Sequence, residues 1–471
     1  MAGLIGGLLN AAKSLSAQEV GVQVAGKNLA NVNNPEYARQ RVILGDRVMA
    51  DGKLGPVGSG VEALGIKHIR DQFLDATVTR ETAITSSLDA QQTALDRAEA
   101  NLGEQIDRSG DSAFVGDTGK SANGIASAMG EFFTAFDHLS ASPTDSGAKQ
   151  VLLNKAESLV DMFNFADQRL EGVQNDLTSE VATAAGSVNS VLKQIADLNG
   201  AIAQFEVGNP GSALELRDQR QARLEELASY MDFEARVIPG SAGQIQVVTR
   251  DTTGTDVMLV NKTAVLGGLS FDGVQISGGA PSTVLGLQGG SLKGHLTARD
   301  GAVQQLRDDL KVAADQITAA VNAAYSPTGA NFFLAAPATG LLALDPTLSF
   351  STLRTTATAD AGANEIALAV SDVARKKFST GSGDLIDGTI SAFYNQMVSG
   401  LGQSLAGLDA KIGDQEIVQK MLTNQRDAVS GVSMDEEMAD LMRFQRSYQA
   451  SARVVRVMDE LLDGLVNELI R

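Results

Sequence analysis

The sequence predicts a mainly α-helical protein with β inserts (α+β). It is expected to be elongated and multidomain, with N- and C-terminal helices pairing as a coiled coil, a helical-bundle middle domain and a small outer β domain. Three observations predict this. Apolar residues recur at every seventh position at both ends of the chain. Most of residues 63–232 follow a helical period. Residues 233–298 break instead into short β-branched runs punctuated by Gly, Pro, Asn and Thr. The 471 residues exceed one ordinary core and suggest about three domains.

The first segment places Leu8, Leu15, Val22 and Leu29 seven apart, with Ala11, Gln18, Ala25 and Val32 three residues after each. One row is strong and the other weak, so the helix needs a partner. It stops in "NLANVNNPEYARQ", Asn28 to Gln40. There Asn33 and Asn34 are expected to provide a left-handed C-cap, and Pro35 cannot continue the helix. Asn28 and Asn31 fall on one helix face and are expected to bond backbone or neighbouring-subunit groups. Further on, Leu88, Leu95 and Leu102 share a face, and Val151, Leu152, Leu159, Val160, Phe163 and Leu170 form another apolar stripe. "GNPGS" at Gly208 to Ser212 separates two helices. The runs "EARVIPGSAGQIQVVTR" and "DVMLVNKTAVLGG" read as antiparallel strands with hairpins. Helix is expected over about 296–325, an irregular or β-like stretch over about 326–377, and helix again over about 384–429. At the end, Met434, Leu441, Tyr448, Val455, Leu462 and Leu469 repeat every seven residues behind a capping box of Ser433 and Glu436. The expected division is a terminal coiled-coil domain (1–34 plus 431–471), a helical-bundle domain (35–232 plus 296–325 plus 378–430) and an outer β-rich domain (233–295 plus 326–377).

Charge and composition narrow the function. Lys and Arg number 38 against 57 Asp and Glu, a net charge of −19, which repels phosphate backbones and argues against a nucleic-acid partner. No apolar run is long enough for membrane insertion, and the N-terminal stretch lacks the basic region of a signal peptide. With no Cys, thiol chemistry and disulfides are excluded. His68, His138 and His295 have no metal spacing and are expected on exposed or helix surfaces. The pairs Ser146/Lys149 and Ser190/Lys193 match S-x-x-K only as chance would. "GPVGSG" and "GGSLKG" read as turn glycines, and Asp308/Asp309 and Asp435/Glu436/Glu437 as solvated helix starts. No catalytic, cofactor or metal constellation is expected, so the chain is not read as an enzyme. A secreted enzyme with its site in the β insert is the weaker alternative.

The stretch "NLANVNNPEYARQR" resembles the N-terminal signature of the bacterial flagellar axial proteins (rod, hook and hook-associated proteins), with Asn28, Asn31, Tyr37 and Arg39 at the matching positions. Glu36 stands where that pattern has Gly. The blocks "FFTAFDHLSASPTDSGAKQVLLNKAESLVDMFN", "LRDQRQARLEELA", "GGSLKGHLTARD" and the ending "SGVSMDEEMADLMRFQRSYQASARVVRVMDELLDGLVNEL" are similar to the hook-associated branch. The resemblance implies a structural subunit at the hook–filament junction, secreted by the flagellar type III export apparatus and required for filament assembly. It implies a ring of about eleven copies, contacts with hook protein and with a second junction protein (hook-associated protein 3), and a cytoplasmic export chaperone on the C-terminal helix. By that mapping Leu8, Leu15, Val22 and Leu29 on one side, and Leu441, Phe444, Gln445, Tyr448, Val455 and Leu462 on the other, are the candidates for the inner coiled coil and the chaperone. Another axial protein, such as a hook protein or a flagellin-like subunit, is the nearest alternative.

Overall fold

The computed structural model describes residues 2–51, 55–103, 124–335, 337–357 and 362–469. The chain divides into two compact units: residues 1–84, 185–290 and 415–471 form one, and residues 85–184 and 291–414 the other. Three long helices contribute to both: α2 (Gln72–Leu102), α4 (Ser146–Phe205) and α9 (Ile390–Ser430).

In the first unit, helix α1 (Ala2–Ala30) pairs with α10 (Met434–Leu469). Between α1 and α2 the chain makes a long antiparallel pair of strands, β1 (Gln40–Asp51) and β2 (Gly55–His68), paired from Gln40↔His68 to Asp51↔Gly55 with register shifts between Ile43 and Leu44 and between Asp46 and Val48. Residues 63–68, grouped by sequence with the helix-rich stretch, are therefore strand. "GPVGSG" lies within β2 and is not a turn. A two-stranded ribbon is marginal alone, and this one leans on α1. Gly60, at φ +88°, brings its backbone so close that a Cβ would meet the Asn10 carbonyl oxygen at 3.0 Å.

The β insert follows helix α5 (Leu214–Tyr230) as two small antiparallel sheets. One is the meander β3 (Glu234–Val237), β4 (Ile245–Arg250), β5 (Asp256–Asn261) and β6 (Ala264–Val265). The other contains β7 (Ser270–Phe271), β8 (Ile276–Gly278) and β9 (Thr283–Val284). Two asparagines of α4 hold them. Asn199, fully buried, donates to the Ile245 and Lys262 carbonyls at 3.0 and 2.8 Å and accepts from the Arg220 guanidinium. Asn189 donates to the Leu269 carbonyl at 2.8 Å and accepts from the Leu269 N–H. Amides withdrawn from solvent and satisfied on both ends fix one geometry.

The second unit is helical. Its core joins Leu95 and Leu102 of α2, α3 (Ile125–Ala141), the first part of α4 through Leu152, Leu159, Phe163 and Leu170, α7 (Gln304–Tyr325), and the first part of α9. Phe132 and Phe136 pack against Phe332 with ring centroids 5.7 and 5.3 Å apart, and Tyr325 reaches the same ring at 5.6 Å. Before α7 lie α6 (Gly290–Thr297) and a π-helical segment (Ala298–Val303). Within 326–377, expected to be irregular or β-like, the only pairing among the described residues is the bridge Phe333↔Leu344, while Glu365–Val373 form helix α8. Ile366, Ala367, Val370 and Val373 face the core at helical spacing, a signal too short to separate from a strand by period.

Candidate assembly site at the corner of the terminal helix pair

Helices α1 and α10 run antiparallel in a constant register. Gly7 meets Met458, Ser14 Oγ lies 3.4 Å from Ser451 Oγ, Gly21 meets Phe444, and Asn28 bonds Glu437. Each contact steps seven residues forward on α1 and seven back on α10. A Cβ at Gly7 would lie 2.7 Å from Met458 Cε, and one at Gly21 2.6 Å from the Phe444 ring. The small residues of α1 are thus holes for knobs on α10.

This row sits one residue before Leu8, Leu15, Val22 and Leu29, which are half-buried beside it. On α10 the side chains withdrawn from solvent include Glu437, Leu441, Phe444, Ser451, Val455, Met458 and Leu462. Gln445 and Tyr448 are exposed, as is Met434. A straight α-helix drifts about 20° per seven residues, so a strict seven-residue row leaves the contact face. Gly7, Ser14, Gly21 and Ser451 escaped sequence reading because apolarity was the criterion; small residues seven apart were the available signal. Met458, though apolar, lies off the strict seven-residue row through Met434 and Leu441.

The corner closes through polar groups. The Asn31 side chain donates to the Lys27 carbonyl at 2.9 Å, and the backbone turns through Asn34 N–H to Asn31 O at 2.9 Å. The expected left-handed cap is absent: among the described residues only Ala242 and Lys262 are non-glycine with positive φ. Glu36 N–H donates to Asn34 Oδ1 at 3.1 Å, and its φ is not positive, so that turn has no need of Gly. Asn28, 1% exposed, lies at the centre. Its Nδ2 donates to the Gln40 carbonyl and to Glu437 Oε2, both at 2.9 Å. Its Oδ1 accepts from Tyr37 OH at 2.8 Å and from Gln40 N–H at 3.0 Å. Arg39 pairs with Glu437 at 2.7 Å and Glu436 at 2.6 Å, and its N–H donates to the Ser430 carbonyl. Glu437, expected to be solvated, is 3% exposed because it is the buried partner of this network. Burial, with Asp218, Glu215 and Glu437 nearby, raises the Tyr37 pKa, so the phenol remains a donor. Asn28, Tyr37 and Arg39 therefore meet in one network that fastens the start of α10 to the end of α1, with Asn31 capping that end.

A second cluster backs the corner. Arg70 donates from Nε to Asp218 at 3.2 Å, from one terminal nitrogen to Asp75 at 3.1 Å, and from the other to the Glu36 carbonyl at 3.1 Å. His68 Nε2 lies 3.3 Å from Asp218 Oδ2. His68 is thus half-buried at a strand end rather than on an exposed or helix surface; His138 is exposed, and His295 lies 3.5 Å from Glu180. Burial first, then Arg70, Arg217 and Lys27, lower the His68 pKa to about 4. Burial raises that of Asp218 to about 6 against the opposing pull of Arg70, and burial raises that of Asp75. An open cleft of about 520 Å³ lies beside the corner, lined by residues that include Asn31, Arg39, Arg70, Asp75, Arg426 and Ser430. Among the described residues no group of His, Cys, Asp and Glu has the arrangement of a metal site, and no helix is long and apolar enough to cross a membrane.

Comparison with known proteins follows these elements. Residues 118–329 match the family model of the flagellar hook-associated protein FlgK helical domain, and residues 423–468 that of the flagellar basal body rod FlgEFG protein C-terminal region. Flagellar hook-associated protein 1 of Bacillus subtilis strain 168 is 25% identical over 516 residues, covering 98% of this chain and 97% of that protein. Its counterpart in Escherichia coli K12 is 25% identical over 557 residues, covering 97% and 98%. The flagellar hook junction protein FlgK of Burkholderia pseudomallei aligns in structure with a TM-score of 0.45 at 21% identity, over 55% of this chain and 46% of that one. With two flagellar models at its middle and C-terminus and relatives aligned from end to end, the chain is similar to flagellar hook-associated protein 1 over nearly its whole length.

Proposed function

We propose that the protein is a structural subunit of the bacterial flagellum that forms the junction between hook and filament and acts by assembly, without catalysis. The observation that carries this reading is the end-to-end alignment with hook-associated protein 1 relatives. The rod-protein model alone would suit any axial protein; the hook-associated helical domain over residues 118–329 favours the junction role over a hook protein or flagellin. The terminal helix pair supports an assembly mechanism. Its outer side leaves Met438, Met442, Val454, Val457 and Leu461 exposed on α10, an apolar face that a neighbouring subunit would cover.

In this reading the segments 1–34 and 431–471 form the inner coiled-coil layer, the bundle segments the next layer, and the β-rich insert the outer surface. Copies of the chain close a ring of about eleven, with hook protein on one side and hook-associated protein 3 on the other. The subunit leaves the cell through the flagellar type III apparatus, with a chaperone on its C-terminal helix beforehand, and works outside the cell. The test is deletion of the gene: hooks without filaments and monomeric flagellin in the medium are expected. Complementation with Leu441→Asp plus Val455→Asp is expected to fail while the second unit stays folded by circular dichroism. Normal filaments on the deletion strain would overturn the reading.

A further inference from the structure

The cluster behind the corner has unbalanced charge. Two buried carboxylates, Asp75 and Asp218, share the guanidinium of Arg70, and His68 stands beside Asp218. The cluster joins four segments: the corner through the Glu36 carbonyl and Ala38 N–H, the end of β2, the first turn of α2, and α5. The surrounding charges are Lys27 of α1, Glu215, Arg217 and Glu225 of α5, Arg426 of α9 and Glu437 of α10. One proton fits between the imidazole and the carboxylate without an added counter-ion.

We propose that His68 and Asp218 form a proton-compensated latch, in which opening the corner moves one proton from the carboxylate to the imidazole instead of exchanging it with solvent. Closure of the corner then keeps its strength through mild acid. The carboxyl of Asp218, raised to about 6, holds a proton in the closed state that the open state has lost; alone, it favours closure less as pH rises toward 6. The imidazole of His68, lowered to about 4, lacks a proton that the open state binds; alone, it favours closure less as pH falls below its ordinary 6.5. Between about 4 and 6 the His68–Asp218 pair holds one proton in either state and its two slopes cancel, leaving only the contribution of Asp75, whose raised carboxyl favours closure less as pH rises. This inference is independent of the flagellar reading.

The test is hydrogen exchange on the full chain at pH 4.5 and 5.5, corrected for intrinsic rates. It follows the amides of Arg39 and Ile69, whose acceptors are the Ser430 and Arg39 carbonyls. Phe378 N–H, bonded to the Gly388 carbonyl in the other unit, is the reference. The double variant keeps only the slope of Asp75, and the wild-type corner is expected to change in protection between the two pH values by the same amount. Relative to that shared slope, protection in His68→Gln should fall up to about ten-fold as pH rises by that unit, and in Asp218→Asn it should fall about as much as pH drops. A wild type whose change differs from that of the double variant, or two single variants that both match it, overturns the latch. Should a variant not fold, imidazole NMR on the wild type decides: His68 must remain neutral to about pH 4, and titration near 6.5 overturns the proposal.

Discussion

At the scale of the residue, Asn28 shows why a signature can be polar without being chemical. Its amide accepts two hydrogen bonds and donates two, and each partner comes from a different piece of backbone or side chain. Asp could not donate to Glu437, and Leu would leave that carboxylate buried beside Arg39 alone. Replacing Asn28 by Ala is expected to destabilise the first unit by about 2–4 kcal/mol, because Glu437, Tyr37 and the Gln40 amide all lose a partner while out of water. Asn28→Asp should cost more, since it sets a second carboxylate against Glu437. Tyr37→Phe, which removes one donor, should cost only about 0.5–1.5 kcal/mol. Urea midpoints followed by fluorescence of a probe on α10 rank the three, and an Asn28→Ala midpoint above that of Tyr37→Phe would contradict the central place given to Asn28.

At the scale of the element, the pairing of α1 with α10 rests on holes as much as on knobs. Gly21 is helical, so Ala there would gain about 1 kcal/mol of helix propensity. The new methyl, however, would meet the Phe444 ring at its base, Cγ at 2.8 Å, where the side chain has little freedom to retreat. Overpacking of that kind costs about 1–3 kcal/mol. Gly21→Ala is therefore expected to weaken the helix pair, and Phe444→Leu in the same chain to restore part of the loss. A disulfide-free crosslinking or exchange assay on α10 reads the order, and a Gly21→Ala chain more protected than wild type would refute it. The same contact shows what was legible beforehand. Both terminal helices, the "GNPGS" break and the insert strands follow from spacing and turn residues, because period is local. The pairing of β1 with β2 over Gln40–His68 did not, since the glycines of the two strands look like loop. Helix α8 was hidden because nine residues are too few to establish a period. The partner of His68 and the burial of Glu437 depend on α5 and on the corner. Residues 150 or 409 positions apart in sequence, as His68 is from Asp218 and Asn28 from Glu437, carry no local signal of their meeting.

At the scale of the whole molecule, charge is unevenly spread. The chain carries −19, yet the run 441–458 holds Arg443, Arg446, Arg453 and Arg456 and no acidic residue. Arg443 pairs with Asp440 at 2.9 Å, whereas Arg446, Arg453 and Arg456 are exposed and make no ion pair among the described residues. Arg446 and Arg453 are seven apart on the side of α10 that also exposes Met442 and Val457. An apolar face edged by unpaired guanidinium groups suits an acidic neighbour, and the rest of this chain is acidic. Reversing both charges, Arg446→Glu plus Arg453→Glu, should leave the contacts with α1 unchanged, because neither side chain lies on that face. The variant should reach the medium in normal amounts and keep wild-type helicity, but few hooks should carry filaments. Restoring one Arg should recover part of the motility, and raised salt should weaken wild-type assembly as it screens the same attraction. Filament numbers are counted by electron microscopy and secretion by immunoblot. Full filaments on hooks of the doubly reversed strain would mean that the apolar face alone holds the neighbour, with the arginines only keeping it soluble.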